Sequence, residues 1–222
     1  MRYLVTLLLT LHLSAQSGLK PGSPVSRWSI KTGLPEGTVL TQPGTLIPLS
    51  DFLDLKPAAE KRTAEYQDKR YPKVSDAPAA EGDIVRTRGY VRLVAEETDG
   101  DFHIQITTDP ANFDNCLVVE VPMPDQQFVA NSPDVVSAAK AVRDFVIAKL
   151  LAGQTPRPGS VRVMQGQAFV EVGGQLFFDS EHQAAMSKGV FRGKSINKKQ
   201  LPSKTSWEIH PITSMAFAPK PK

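Results

Sequence analysis

"CLVVEVPMPDQQFVANSPDVVSAAKAVRDFVIAKLLAG", residues 116–153, is the stretch on which the fold turns. Its first six residues are apolar except for Glu120 and read as a strand, stopped by the prolines of "PMPD". The rest holds the one strong helix of the sequence. Ser132 can cap it, Pro133 takes the first helical position, and Asp134 sits in the first turn, where the helix dipole favours an acid. Val135, Ala139, Val142, Val146 and Leu150 recur at helical spacing, and Gly153 is placed to end the run. A helix is predicted over 133–150, following a strand.

Outward from there the chain reads as strands. Toward the N-terminus, "FHIQIT" (102–107) alternates, with Phe102, Ile104 and Ile106 on one face and His103, Gln105 and Thr107 on the other. "IVRTRGYVRLVAEE" (84–97) is a long β run with Gly89 at its centre, where a bent strand wants one. Toward the C-terminus, "VRVMQGQAFVEV" (161–172) is predicted as a fourth strand, which "GGQLFFDSEHQ" (173–183) extends or folds back on. "SWEIHPITSMAF" (206–217) is the fifth. Five strands with one helix between the third and fourth is the element order of an OB-fold, a Greek-key barrel. A mainly β, OB-like barrel over 84–217 is expected; a different α+β sheet of the same elements is the alternative.

Before residue 84 the pattern is different. Residues 18–83 are rich in proline and carry no sustained period, so an extended arm is predicted, pinned by Trp28, Leu46, Ile47, Phe52 and Leu53. A short helix is expected over 58–69, stopped by Pro72. "MRYLVTLLLTLHLSAQS" (1–17) reads as a secretory signal: Arg2, then an apolar run too short to span a bilayer, then small polar residues. The expectation is a secreted or periplasmic protein with no membrane insertion after signal removal, ending in a flexible tail at 218–222. Cys116 is the single cysteine, which excludes an internal disulfide. It opens an apolar strand and reads as a small buried hydrophobe.

The net charge of +3 over 222 residues is too small to argue for nucleic acid by itself. Its distribution says more. Lys188, Arg192, Lys194, Lys198, Lys199 and Lys204 lie between Met186 and Trp207 with no acid among them. In an OB-fold this is the connection between strands four and five, one of two that grip single strands or sugars. Trp207 is a stacking candidate there. A solvated loop is the plainer reading of the same residues.

Each histidine beyond the signal stands near an acid: Asp101 and His103, Asp179 and His182, Glu208 and His210. Residues two apart in a strand share a face. With OB strand order, His103, Glu120 and His210 form a row across three strands at about 4.8 Å per step, and Glu120 is predicted to hold the His210 imidazole. Pro211 is expected to end pairing at a barrel corner. A structural polar cluster is the first reading of these seven residues. A divalent metal is the lesser alternative, because no compact motif such as H-E-x-x-H is present.

The motifs "DGDFH" (99–103), "LVVEVP" (117–122), "FFDSEH" (177–182) and "WEIHP" (207–211), led by "WSIKTG" (28–33), come in an order that resembles a family of small exported bacterial proteins with an OB-like β-barrel. The resemblance covers most of the chain after residue 17. It implies export and the barrel, and no assigned chemistry.

The sequence has no G-x-S-x-G, P-loop or supported Cys–His pair. The function expected is therefore an exported, non-catalytic binding or scaffold module without a cofactor, taking a single-stranded nucleic acid or other polyanion at 187–206. The alternative is a metal-dependent hydrolase built on His103, His182, His210 and their acids.

Overall fold

A computed structural model describes residues 27–60, 63–111, 114–125, 129, 132–164, 168–196 and 199–221. Residues 1–17, expected to be a signal segment, and the first residues of the expected arm lie outside this set. Helix α1 (Trp28–Thr32), strand β1 (Thr45–Leu46), helix α2 (Leu49–Leu53) and a 3-10 turn (Ala64–Tyr66) precede the sheet. Then come β2 (Ile84–Glu96), β3 (Phe102–Thr107), β4 (Cys116–Val121), α3 (Pro133–Phe145) and a π-helical turn (Val146–Leu150). Strands β5 (Val161–Val163) and β6 (Phe169–Phe178), helix α4 (Ser180–Met186), and strands β7 (Gly193–Ile196) and β8 (Lys199–Phe217) complete the chain.

Five of the strands close a barrel in the order β2-β3-β4-β8-β6, with β6 returning to β2. All neighbours are antiparallel except β4 and β8, which run parallel. Strand β2 serves both ends of this path: Ile84 to Tyr90 pair with β6, and Tyr90 to Glu96 pair with β3. Gly89 sits at that turnover, where a Cβ would lie 2.8 Å from Leu49 Cδ2 and 3.1 Å from Thr107 O. The close approach explains the glycine. Gly174 is tighter still, since a Cβ there would stand 2.2 Å from Pro211 O.

Alternation fills the core. Phe102, Ile104, Ile106, Leu117, Val119 and Ile209 are all fully buried within one cluster. Helix α3 packs on β8 and β4. Ser132 caps it through Val135 N–H at 3.3 Å, Pro133 opens it, and Val135, Ala139 and Val142 are buried. Val146 and Leu150 continue the buried stripe, but as a π-helical turn, and Gly153 N–H closes it on Ile147 O at 2.8 Å with φ +83°.

Five features differ from the sequence expectation. The predicted fourth strand is two strands: short β5 pairs with β2, and the barrel strand β6 starts at Phe169 and takes in the "GGQLFF" run. Of the helix expected over 58–69 the described residues form only the 3-10 turn, and Arg27 donates to the Tyr66 and Lys69 carbonyls at its C-terminal side. The 187–206 segment is no open loop, since β7 folds back on the first residues of β8. Pro211 does not end pairing either. Strand β8 bulges between Ile209 and Ile212, which absorbs the missing N–H, and runs on to Phe217. Among the described residues of the barrel region α4 also joins α3, where one helix was expected.

The stretch before β2 is tied to the barrel. Ile47, Phe52 and Leu53 are buried in the main core, while Leu46 is exposed and Trp28 half-buried. Arg27 forms a two-pronged ion pair with Glu81, at 2.7 and 2.8 Å. Its guanidinium also donates to Phe178 O, and Glu81 accepts from the Tyr71 and Phe178 N–H groups. Both side chains are sealed from water. Among the described residues, no helix is long and apolar enough to cross a membrane.

Candidate functional site

On β3, β4 and β8 the residues opposite the core are His103, Glu120, Glu208 and His210. An outward barrel face normally meets water, yet these four are buried. Two elements cover them: α1, which brings Lys31, and the segment entering β7, which brings Arg192. A layer of ionisable groups is thereby closed under a polar lid, and each group must find its partner there.

The three-strand row exists. His103 pairs with Glu120 across β3 and β4, and the parallel register of Val119 with Ile209 sets Glu120 beside His210. The bonding differs from the prediction. Glu120 Oε1 lies 2.8 Å from His103 Nδ1, while His210 Nε2 is 3.7 Å from Glu120 Oε2. His210 is held instead by Lys31 O, 2.8 Å from Nδ1, and by Asp101 Oδ2, 3.2 Å from Nε2. The cause is Lys31, whose Nζ stands 2.9 Å from Glu120 Oε2 and 3.8 Å from Asp101 Oδ2, so that the ammonium has taken the carboxylate oxygen nearer His210.

The charges follow from this packing. Burial alone would push the Glu120 carboxyl up, but Lys31, His103 and His210 outweigh it and hold it well below the usual range. Burial would likewise lower the Lys31 ammonium, and Glu120, Glu208 and Asp101 together raise it well above normal. Glu208 goes the other way: burial and the neighbouring Glu120 charge raise it, against the pull of Arg192. Its Oε2 is bonded to Arg192, and Oε1 has no hydrogen-bond partner.

Asp179 and His182 join the layer through Arg192, whose Nη2 is 3.7 Å from Asp179 Oδ2. Asp179 caps α4 by accepting from the Glu181 and His182 N–H groups, and its second oxygen faces His182 Nδ1 at 2.5 Å. That bond raises the imidazole, while His182 and Arg192 overcome burial and lower the carboxyl.

A cleft of about 270 Å3 opens beside this layer. Its floor is Lys31, His103 and Glu120. One wall is the β2–β3 connection with Glu97, Thr98 and Asp99; the other is the β6–β8 connection with His182, Arg192 and Lys194. Two groups of ligand atoms converge within 4.8 Å, Glu97–His103–Glu120 at the cleft and Asp101–Glu120–His210 beneath it.

Three of the six cations of the basic segment are taken up by acids. Arg192 is buried on Glu208, Lys194 pairs with Glu97, and Lys204 pairs with Asp54. Trp207 is 2% exposed and packs against Phe178, so it is a core residue and no stacking platform. Lys188 is exposed, Lys198 lies outside the described residues, and only the backbone of Lys199 is described. The sequence reasoning missed Lys31, Glu97, Asp99 and Gln105 as members of the site. Gln105 carried a signal in its place on His103's face of β3, and Asp99 in its place at the start of "DGDFH". Cys116 is buried, and burial pushes its thiol up to about 11, as fits an inert side chain. Searches against family models, curated proteins and solved structures returned no match to this chain.

Proposed function

We propose that this chain is an OB-like, non-catalytic binding module whose ligand site is the polar cleft, and that its ligand offers a phosphate or sulfate group of an extended polymer. One observation carries the reading. The cleft is walled by the connection between the first and second barrel strands and by that between the fourth and fifth. In OB-like Greek-key barrels these two connections flank the surface that takes oligonucleotides and oligosaccharides. The parallel β4–β8 pair and the chain position of α3 support that topology. His182 and Lys194 supply cationic contacts at the wall, Arg192 stands behind them, and Lys31 lies on the floor. The reading includes export, which rests on residues 1–17 alone.

Catalysis has less behind it. No described serine or cysteine stands beside a histidine in the cleft, and of its acids Glu97 and Glu120 are engaged by lysines while Asp99 accepts the Asp101 N–H.

The test is binding of labelled oligothymidine and of a heparin oligosaccharide at low and high salt, the two arms separating phosphate from sulfate polymers. Salt-sensitive binding is expected to one of them. His182→Ala and Lys194→Gln should each weaken it and flatten the salt slope by about one. Lys204→Gln, outside the cleft lining and paired with Asp54, should leave it unchanged. Absence of binding to both polymers, or equal loss in Lys204→Gln, overturns the reading.

A further inference from the structure

We infer that the cleft contains a divalent-cation site formed by Glu97, His103 and Glu120, suited to Zn2+ and open to the ligand on its fourth side.

Gln105 sets the orientation of the His103 ring. Its Nε2 donates to Leu201 O at 2.9 Å, and its Oε1 accepts from Lys194 N–H at 2.9 Å. Two backbone partners thus fix which end of the amide is which. The oxygen faces His103 Nε2 at 3.3 Å, so that ring nitrogen is the N–H that donates. The other nitrogen, Nδ1, points at Glu120 Oε1 at 2.8 Å and at Glu97 Oε1 at 3.4 Å. An imidazole with one N–H fastened to a carbonyl-type oxygen and its other nitrogen aimed between two carboxylates has the outer-shell arrangement of a metal-bound histidine. Tetrahedral ligands about 2.1 Å from an ion sit roughly 3.4 Å apart. The three atoms are already within 4.8 Å of one another.

Access and charge fit as well. All three residues line the cleft, which gives an entry path and leaves room for a fourth, exchangeable ligand. Lys31 engages the other oxygen of Glu120, Oε2, and so leaves Oε1 for the ion. Among the described residues only Lys194 competes directly, through Glu97, and that pair is partly exposed. The lower group, Asp101–Glu120–His210, is the poorer site, because the Lys31 ammonium already stands between its carboxylates. A bound ion would accept an oxygen of a phosphate or sulfate group in its open position. The site itself does not depend on that ligand.

The experiment is calorimetric titration of the full chain with ZnCl2, with the visible absorption of Co2+ as the geometric readout. One ion per chain and a tetrahedral Co2+ spectrum are expected. Glu97→Gln, a change at a partly exposed side chain that the fold tolerates, should weaken Zn2+ at least tenfold. Gln105→Leu should weaken it about 10- to 100-fold through the lost imidazole support. Lys194→Gln should tighten it several-fold, the opposite of its expected effect on polymer binding. No Zn2+ binding, or Glu97→Gln and Lys194→Gln both binding as the native chain does, overturns the site. Loss of polymer binding with Zn2+ binding intact counts only against the proposed ligand.

Discussion

Arg27 and Lys31 stand one helical turn apart, and both carry a positive charge from the N-terminal stretch into the barrel. Their surroundings are unlike. Arg27 meets a carboxylate whose two oxygens are both matched, by its own prongs and by the Tyr71 and Phe178 N–H groups, under the Tyr71 ring. The guanidinium and both carboxylate oxygens of that ion pair are satisfied and buried. Lys31 meets an excess of acceptors, Glu120 and Asp101, with two imidazoles close by and a cleft alongside. A buried ion pair with all its bonds made does the work of a rivet. A buried charge cluster with more acceptors than it needs, set at an opening, is arranged for something to enter.

The comparison can be broken by mutation. Arg27→Met strands the Glu81 carboxylate in a sealed site and should cost about 3–5 kcal/mol, read from the urea midpoint at constant m-value. Polymer and Zn2+ binding by the fraction still folded should be unchanged. Lys31→Met should cost less, about 1–3 kcal/mol, because Glu120 keeps His103 and borders the cleft, yet it should alter binding there. If both substitutions destabilise equally and neither touches binding, the two junctions are of one kind and the distinction falls.

The smallest effect sharpens the comparison at the cleft wall. His182 is raised by Asp179, so its contribution to stability is complete below the unfolded value near 6.5 and fades as pH climbs through the higher folded value. Asp179 is lowered, so its share is present above about 3.9 and disappears as pH falls through its folded value. The stability gap between the native chain and His182→Ala should therefore narrow from pH 6 toward pH 9. It should be slight throughout, since the imidazole is 54% exposed. A gap that widens with pH would contradict the assigned pairing.

How much of this was legible depended on sequence distance. The row of His103, Glu120 and His210 follows from period-two alternation and a strand order, both written locally in "FHIQIT", "CLVVEV" and "WEIHP". The same alternation sets Trp207 on the side of Ile209, inside the barrel, and is a stronger guide than the lysines around it. Lys31 and Arg192 were not legible as members of the layer. Nothing within "WSIKTG" or "VFRGK" says which strand they will cover, because their partners lie 89 and 16 residues away. The β7 fold-back was hidden for the same reason. A run of lysines without acids reads as open loop until Glu97 and Asp54 arrive from elsewhere.

The tie between Lys31 O and His210 spans 179 positions, and that between Arg27 and Phe178 O spans 151. A ribosome releases the N-terminal member of each pair first and must hold it waiting until nearly the whole chain has followed. Contacts of such range form late and slowly. The α1 part of the lid over the polar layer therefore emerges long before its partners and comes home late, and the cleft exists only once β8 has been made.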